Sequence, residues 1–132
     1  MEEFAVETKK KNDMVDITEN IRKIVKASNV KEGICVVYAR HATCAILINE
    51  NYDPNVMADV LECMRKLAPE GKWRHDKVDN NGAAHIKSAI IGPSEIIPVK
   101  DGELLLGKWQ DIMLADFDGP KQRNIVVQVI GK

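Results

Sequence analysis

Two apolar runs, ICVVYA at 34–39 and CAILIN at 44–49, are split by Arg40, His41, Ala42 and Thr43, and nothing else in the chain constrains its fold as strongly. Each run is rich in β-branched residues and too short for a core helix. Each therefore predicts a strand, the first of them central and buried on both faces. A polar interruption between two buried strands is costly unless its groups are used. His41 and Thr43 are thus the first candidates for a site.

The flanking sequence builds outward from these strands. Phe4 and Val6 alternate with Glu3, Glu7 and Thr8, which predicts a strand over 3–8. KKKND at 9–13 reads as a solvated turn, and Val15–Ile17 as a return strand. Ile21, Ile24 and Val25 then give the apolar stripe of a helix over 18–28, with the Thr18 hydroxyl placed to cap it. After CAILIN, Asp53 and Pro54 are a helix start, since the carboxylate accepts free backbone donors and proline suits the first helical position. Val56, Val60, Leu61, Met64 and Leu67 recur at helical spacing, and Pro69 and Gly71 end a helix over 54–68.

Residues 69–82 form a long polar loop holding Trp73 and His75, the kind of loop that more often carries function than idles. A third helix is expected over 83–91, closed by Gly92 and Pro93. Beyond it the pattern turns wholly to strands: 95–99, a hairpin at Asp101 and Gly102, then 103–106, 109–117, a turn at 118–120, and 124–130. This reads as an antiparallel meander. The expected fold class is α+β: one domain over residues 1–132, with a large antiparallel or mixed sheet system and three short helices.

Composition narrows the function. A formal net charge of −1 gives no bulk attraction to nucleic acid or to a membrane surface. No apolar run approaches the roughly 20 residues of a membrane span, and MEEFAVETKK has no apolar signal core. Cys35, Cys44 and Cys63 are odd in number and lack CxxC spacing, so reduced thiols in a cytoplasm are expected.

The chain has three histidines, His41, His75 and His85, each at a polar junction. Histidine is the common metal ligand and the side chain suited to moving protons near neutral pH. Their spacing matches no HExxH or HxH pattern, so they are either ligands brought together by the fold or separate surface or hydrogen-bonded residues. His85 falls in the first turn of its helix, where backbone donors and the dipole favour phosphate or carboxylate. Lys87, two positions on, points away from His85 on a regular helix and is either a solvated lysine or a phosphate contact. Asn49 and Glu50 follow the CAILIN strand, and Glu50 is either a cation ligand, a base, or a turn residue. Trp109 is read first as core, although beside Gly107 and Gln110 an indole also suits the wall of a flat-ring pocket. Lys121 and Arg123 offer cations to phosphate oxygens, and Cys44 reads as a small buried residue.

Taken together, HATCAILINEN at 41–51, His75 with NGAAHIKSAIIGPS at 81–94, GELLLGKWQDI at 102–112 and DFDGPKQR at 116–123 resemble the YjbQ-like family, also called the secondary thiamine-phosphate synthase family. The resemblance spans nearly the whole chain. It implies a β-sandwich or barrel-like core and a homotrimer. It also implies a site at His41, Thr43, Asn49, Glu50, His75, His85, Trp109 and Gln110, with a divalent metal ion, zinc or magnesium, or an anion near the histidines. The activity implied joins a pyrimidine methyl pyrophosphate to a thiazole phosphate. In that reading His41, His75 and His85 hold the cation or phosphate, with Glu50 as a further ligand. The alternative is a trimer that binds a metal or small anion without this catalysis. Ala42, Cys44, Lys108, Asp116 and Lys121 depart from the family's usual residues, which bears on ligand specificity.

Overall fold

The computed structural model describes residues 1–132. Its elements run β1 (Glu2–Glu7), β2 (Asp13–Asp16), α1 (Thr18–Ser28), β3 (Glu32–Ala39), β4 (Cys44–Asn49), α2 (Pro54–Leu67), α3 (Asp76–Asp79), α4 (Gly82–Ile91), β5 (Ser94–Lys100), β6 (Glu103–Leu104), β7 (Asp111–Asp116) and β8 (Gln122–Gly131). Eight strands, paired antiparallel throughout, form a five-stranded sheet β1-β8-β3-β5-β6 and a three-stranded sheet β2-β7-β4. The sheets join at one corner, where Ala39 N–H donates to Pro93 O and Ile46 N–H to Gly92 O. This closes half a barrel in an α+β domain.

One core lies between the sheets. Val6, Cys35, Val37, Ala39, Ile97, Val99, Ile125 and Val127 face inward from the larger sheet. They meet Ile21 and Val25 of α1 and Ile46, Ile112 and Leu114 of the smaller sheet. A second, smaller cluster covers the other face of that sheet, with Ala45, Ala115 and Phe117 against Ala84 of α4 and Leu61 and Met64 of α2. β7 is therefore buried on both faces, from Ile112 to Asp116.

Four expectations are corrected by these layers. β3 is buried on one face only, and Ile34 and Tyr38 are exposed on the other, because α1 and the smaller sheet cover a single side. The C-terminal strands are not a meander: β5 and β6 pair, but β7 crosses to the second sheet and β8 inserts between β1 and β3. Period-two patterning fixes which residues share a face and is silent about which strand is the neighbour. The 69–82 loop contains a fourth helix, the single turn α3. Thr18 does not cap α1; its hydroxyl donates to Asp16 Oδ1 (2.6 Å) and accepts Ile112 N–H (2.8 Å), tying the helix start to β7. The Asp53 cap is as expected, its Oδ1 accepting Asn55 N–H at 2.9 Å.

Lys87 is neither solvated nor placed to meet an external phosphate: it is 1% exposed. Its Nζ donates to Asn12 Oδ1 (3.1 Å), lies 3.8 Å from Glu70 Oε1 and sits over the Phe117 ring. Burial pushes its pKa below 10.5, and Glu70 only partly offsets this. Desolvation of a buried charge opposes folding. The variant Lys87→Met should therefore fold, with stability at neutral pH unchanged or raised by about 1 kcal/mol in urea melts. A loss above about 2 kcal/mol would instead make Lys87 a net stabilising pin between the 9–13 turn and α4.

Candidate functional site

The site is built where β4 begins and β7 ends. Cys44 pairs with Asp116 across the two strands, and Phe117 N–H donates to Thr43 O at 3.1 Å. The 40–43 interruption is thereby held against the 117–121 turn. Asp116 is fully buried and accepts from Arg123 Nε (3.0 Å), Arg123 Nη2 (2.8 Å), the Thr8 hydroxyl (2.7 Å) and Asp118 N–H (2.9 Å). Burial alone would raise the Asp116 pKa, but these bonds outweigh it and hold the carboxyl below its ordinary 3.8. Arg123 Nη2 also donates to Thr43 Oγ1 (2.9 Å), so the threonine expected to meet substrate is spent on the arginine. Gly119 lets the turn pass this close, since a Cβ there would lie 2.7 Å from Thr8 Oγ1 and 2.9 Å from Asp116 Oδ2.

His41 sits beside this network. Its Nε2 accepts the Asn124 backbone N–H at 2.8 Å, and burial followed by the neighbouring Arg123 pushes its pKa below 6.5. Cys44 is buried, and burial and then Asp116 push its thiol up to about 12, so it is no nucleophile at neutral pH.

His75 and His85 meet edge to face with ring centroids 4.7 Å apart. The sequence set this up through Asp76, whose carboxylate accepts Trp73 N–H (3.0 Å) and Gly82 N–H (2.8 Å) and so folds the 69–82 loop against the start of α4. Gly82 has no room for a side chain, because a Cβ would lie 2.6 Å from Trp73 Cβ. Here one donor of the expected anion site at the helix start is already taken: Asp76 accepts the first backbone N–H of α4. Around the imidazoles three polar groups are left without partners. Asn81 gives its Nδ2–H to Asp118 Oδ2 (2.9 Å), which leaves its Oδ1 buried and without a donor. His75 Nε2 and Ser88 Oγ are also buried without partners, the nearest carboxylate to His75 Nε2 being Asp79 Oδ2 at 3.5 Å. Asn81, His85 and Ser88 follow one another at i, i+4 and i+7, one face of α4.

The three histidines do not share one point. No group of three His, Cys, Asp or Glu side chains in the chain is close enough to hold a metal ion. His75 and His85 pair, while His41 bonds to neither; its neighbour Arg123 is linked to Asn81 through Asp118 (Arg123 Nη2 to Asp118 O, 3.4 Å).

Asn49, Glu50, Trp109 and Gln110 lie at the far end of the smaller sheet, where Asn49 pairs with Asp111. The six residues of β4 separate the two ends by roughly 17 Å. Asn49 Oδ1 accepts Glu50 N–H (2.7 Å), Glu50 Oε2 accepts Asp53 N–H (3.2 Å) and Gln110 Oε1 accepts Gly107 N–H (2.8 Å). Trp109 is not core. It is half exposed in a turn before β7, tilted against Tyr52 at 5.4 Å with Lys108 Nζ 5.0 Å above its ring. A cleft of about 300 Å³ opens elsewhere, between α1 and the β5–β6 turn, lined by Arg22, Lys26, Lys31, Asp101 and Glu103, and it touches none of these residues.

Asp76, Asn81, Ser88, Asp116 and Asp118 were not singled out as site residues from sequence. Asn81, Asp116 and Asp118 read as turn formers, and the available signal was their density, six Asp or Asn residues within 76–81 and 116–118.

The chain as a whole is similar to known proteins. Over residues 2–132 the chain matches the family described as UPF0047 protein YjbQ-like. It is 43% identical over 128 residues to a UPF0047 protein of Methanocaldococcus jannaschii, covering 97% of this chain and 92% of that one. It is 35% identical over 129 residues to YugU of Bacillus subtilis, covering 96% of each. Among solved structures, a YbjQ-like protein from Sulfolobus solfataricus P2 superposes with a TM-score of 0.96 at 34% identity, over 99% of this chain and 96% of that one. A YjbQ/UPF0047 protein from Clostridium acetobutylicum superposes at 0.94 with 39% identity, over 98% and 100%. The family match, the full-length identity and the fold agree, and the chain belongs to the YjbQ-like UPF0047 family.

Proposed function

We propose that this protein is a metal-assisted transferase for small phosphorylated molecules, joining a pyrimidine methyl pyrophosphate to a thiazole phosphate with release of pyrophosphate, and that it works as a cytoplasmic homotrimer. One observation carries the reading: two imidazoles 4.7 Å apart, with His75 Nε2 and Asn81 Oδ1 buried beside them and unpartnered. Imidazole nitrogen and amide oxygen are ligands for a divalent cation, with imidazole favouring zinc over magnesium. His75 and His85 would hold the ion, with Asn81 as a third donor. A bound cation supplies charge stabilisation for a departing pyrophosphate.

The chain's own residues position the rest. Asp76 and Asp118 fix the loop and the amide that face the ion, and Arg123 and Lys121, both bonded to Asp118, are cations at this end of the sheet for a substrate phosphate. The exposed Trp109–Tyr52 pair suits a flat pyrimidine, with Gln110 beside it and Asn49 and Glu50 completing that end. Assembly of several chains is what would bring this end to a neighbour's histidines. Three unpaired thiols fit a reducing compartment, and no helix is long and apolar enough to cross a membrane.

A second reading, a trimer that holds the ion or a small anion without this catalysis, is favoured by Asp76. That carboxylate takes one backbone donor of the site expected to receive a phosphate.

The two readings separate in one assay. The purified protein, with zinc or magnesium and with chelator, is supplied with both substrates, and thiamine phosphate and pyrophosphate are measured. The transferase reading expects equal amounts of both products, abolished by chelation and lowered at least about 100-fold in His85→Ala. Undiminished product from His85→Ala removes His85 from the centre. Zinc binding that weakens in His85→Ala, with no product from either protein, selects the second reading.

A further inference from the structure

We infer that His41 is a hydrogen-bond donor whose tautomer is fixed by the backbone, and that with Arg123 it forms a subsite for an anionic oxygen, of a phosphate or a carboxylate, separate from the His75–His85 pair.

The inference starts from one bond. Asn124 N–H donates to His41 Nε2 at 2.8 Å, and a backbone amide has only a proton to give. Nε2 must therefore carry the lone pair. In a neutral imidazole the other nitrogen then carries the proton, so Nδ1–H is the group that His41 presents. Neither nitrogen is left to bind a metal ion: one lone pair is taken by the amide, and the other nitrogen bears hydrogen. Burial and the positive Arg123 both disfavour a second proton, which keeps the ring in this neutral state.

Arg123 supplies the second half. Its Nε and Nη2 are spent on Asp116, Thr43 and the Asp118 carbonyl, and no bond within the chain uses Nη1. The residue is 6% exposed, so its guanidinium is held rigidly by the Asp116 fork with two Nη1 protons still to give. A fixed imidazole N–H and, close enough to bear on its charge, a fixed guanidinium offer donors only. The His75–Asn81 side differs in holding a buried amide oxygen without a donor. A cation suits one side and an anion the other, and Asp118 joins them, bonded to Asn81 through its carboxylate and to Arg123 through its carbonyl.

The subsite deepens the function proposed above, since a substrate phosphate would be its natural occupant, but its test does not depend on turnover. In protein with 15N-labelled histidine, long-range 1H–15N correlation reports which nitrogen of each ring is protonated. His41 is expected with its proton on Nδ1. Inorganic phosphate, or acetate if the subsite is built for a carboxylate, should shift His41 Nδ1, while zinc should shift His75 and His85 and leave His41 in place. His41→Met keeps a weak thioether acceptor for Asn124 and has no N–H to donate, so it should weaken binding of the active anion about tenfold or more while melting near wild type. A proton on His41 Nε2, a zinc shift at His41, no response to either anion, or undiminished binding by His41→Met would each overturn the inference. The wild-type spectrum decides if that variant does not fold. Zinc that moves no histidine counts against the proposed metal pair and leaves the His41 result standing.

Discussion

Asp116→Ala is expected to lose about 3–5 kcal/mol of stability, seen as a fall in melting temperature on the order of 10 °C or more. The carboxylate it removes is fully buried and receives four hydrogen bonds, two of them from Arg123, itself 6% exposed. Alanine leaves that guanidinium buried without its counter-charge, and the cost is the desolvation of an unpaired ion more than the lost attraction. The double variant Asp116→Leu with Arg123→Met should recover much of the loss, because it removes both charges and keeps apolar volume. A single Asp116→Ala within about 1 kcal/mol of wild type would show that water or the Asp118 carbonyl satisfies Arg123 instead.

The same carboxylate sets an acid limit. Its folded pKa lies below the ordinary 3.8, so the unfolded chain binds its proton first as pH falls. The stabilisation is whole above pH 3.8 and is lost as pH drops through the folded value. Asp16 and Asp118 are depressed in the same direction, hydrogen bonds outweighing burial in each, and they add to this slope. His41 acts in a higher window. Its pKa is pushed below 6.5, so the unfolded chain takes up that proton first as well, and stability falls modestly once pH drops below 6.5. Urea melts from pH 8 to 3 should show both slopes in wild type, with the acid slope reduced in Asp116→Ala and the near-neutral slope absent in His41→Gln.

What was legible in the chain is what local chemistry decides. The Asp53–Pro54 start of α2, the CAILIN strand and the Asp101–Gly102 hairpin are each set within a few residues, and each stands where its signals put it. Pairing between distant segments was not legible. DFDGPKQR reads as a reversal with two cations beside it; that Asp116 claims Arg123 depends on Thr8 and Thr43, which are brought in from 108 and 73 residues away. The histidines show the same limit. Sequence named all three, but only Asp76 folding the 69–82 loop onto α4 selects His75 and His85 as the pair, and a backbone amide on β8 draws His41 aside. Trp109 was misplaced because its apolar ring outweighed the turn chemistry of Gly107 and Gln110 around it.

Ile96→Lys is expected to convert the proposed trimer into single chains. The outer face of the larger sheet carries Ile34, Val36, Tyr38, Ile96, Pro98, Val126 and Ile130, neighbours by register: Ile34 opposite Pro98 and Ile130, Val36 opposite Ile96, Tyr38 opposite Val126. Within one chain this face is bare, with Ile96 61% exposed, Ile130 48%, Tyr38 43% and Ile34 38%. A largely apolar sheet face of this kind, interrupted by Gln128 opposite Val36, marks an association surface. A threefold assembly would bury the same residues three times over. Each copy of Ile96→Lys then forfeits roughly 1.5–3 kcal/mol of apolar burial and adds a charge that must be desolvated, so association should weaken by several orders of magnitude. Light scattering on the eluting protein should give three chain masses for wild type and one for the variant. Circular dichroism should stay unchanged, since an isoleucine this exposed contributes little to the isolated fold. A variant that remains trimeric would move the interface to another face, and a wild type that elutes as one chain would remove the route by which Trp109 and Glu50 could reach a neighbour's histidines. Because Ile96 lies outside both ends of the smaller sheet, loss of activity in a folded, monomeric Ile96→Lys would tie catalysis to assembly itself.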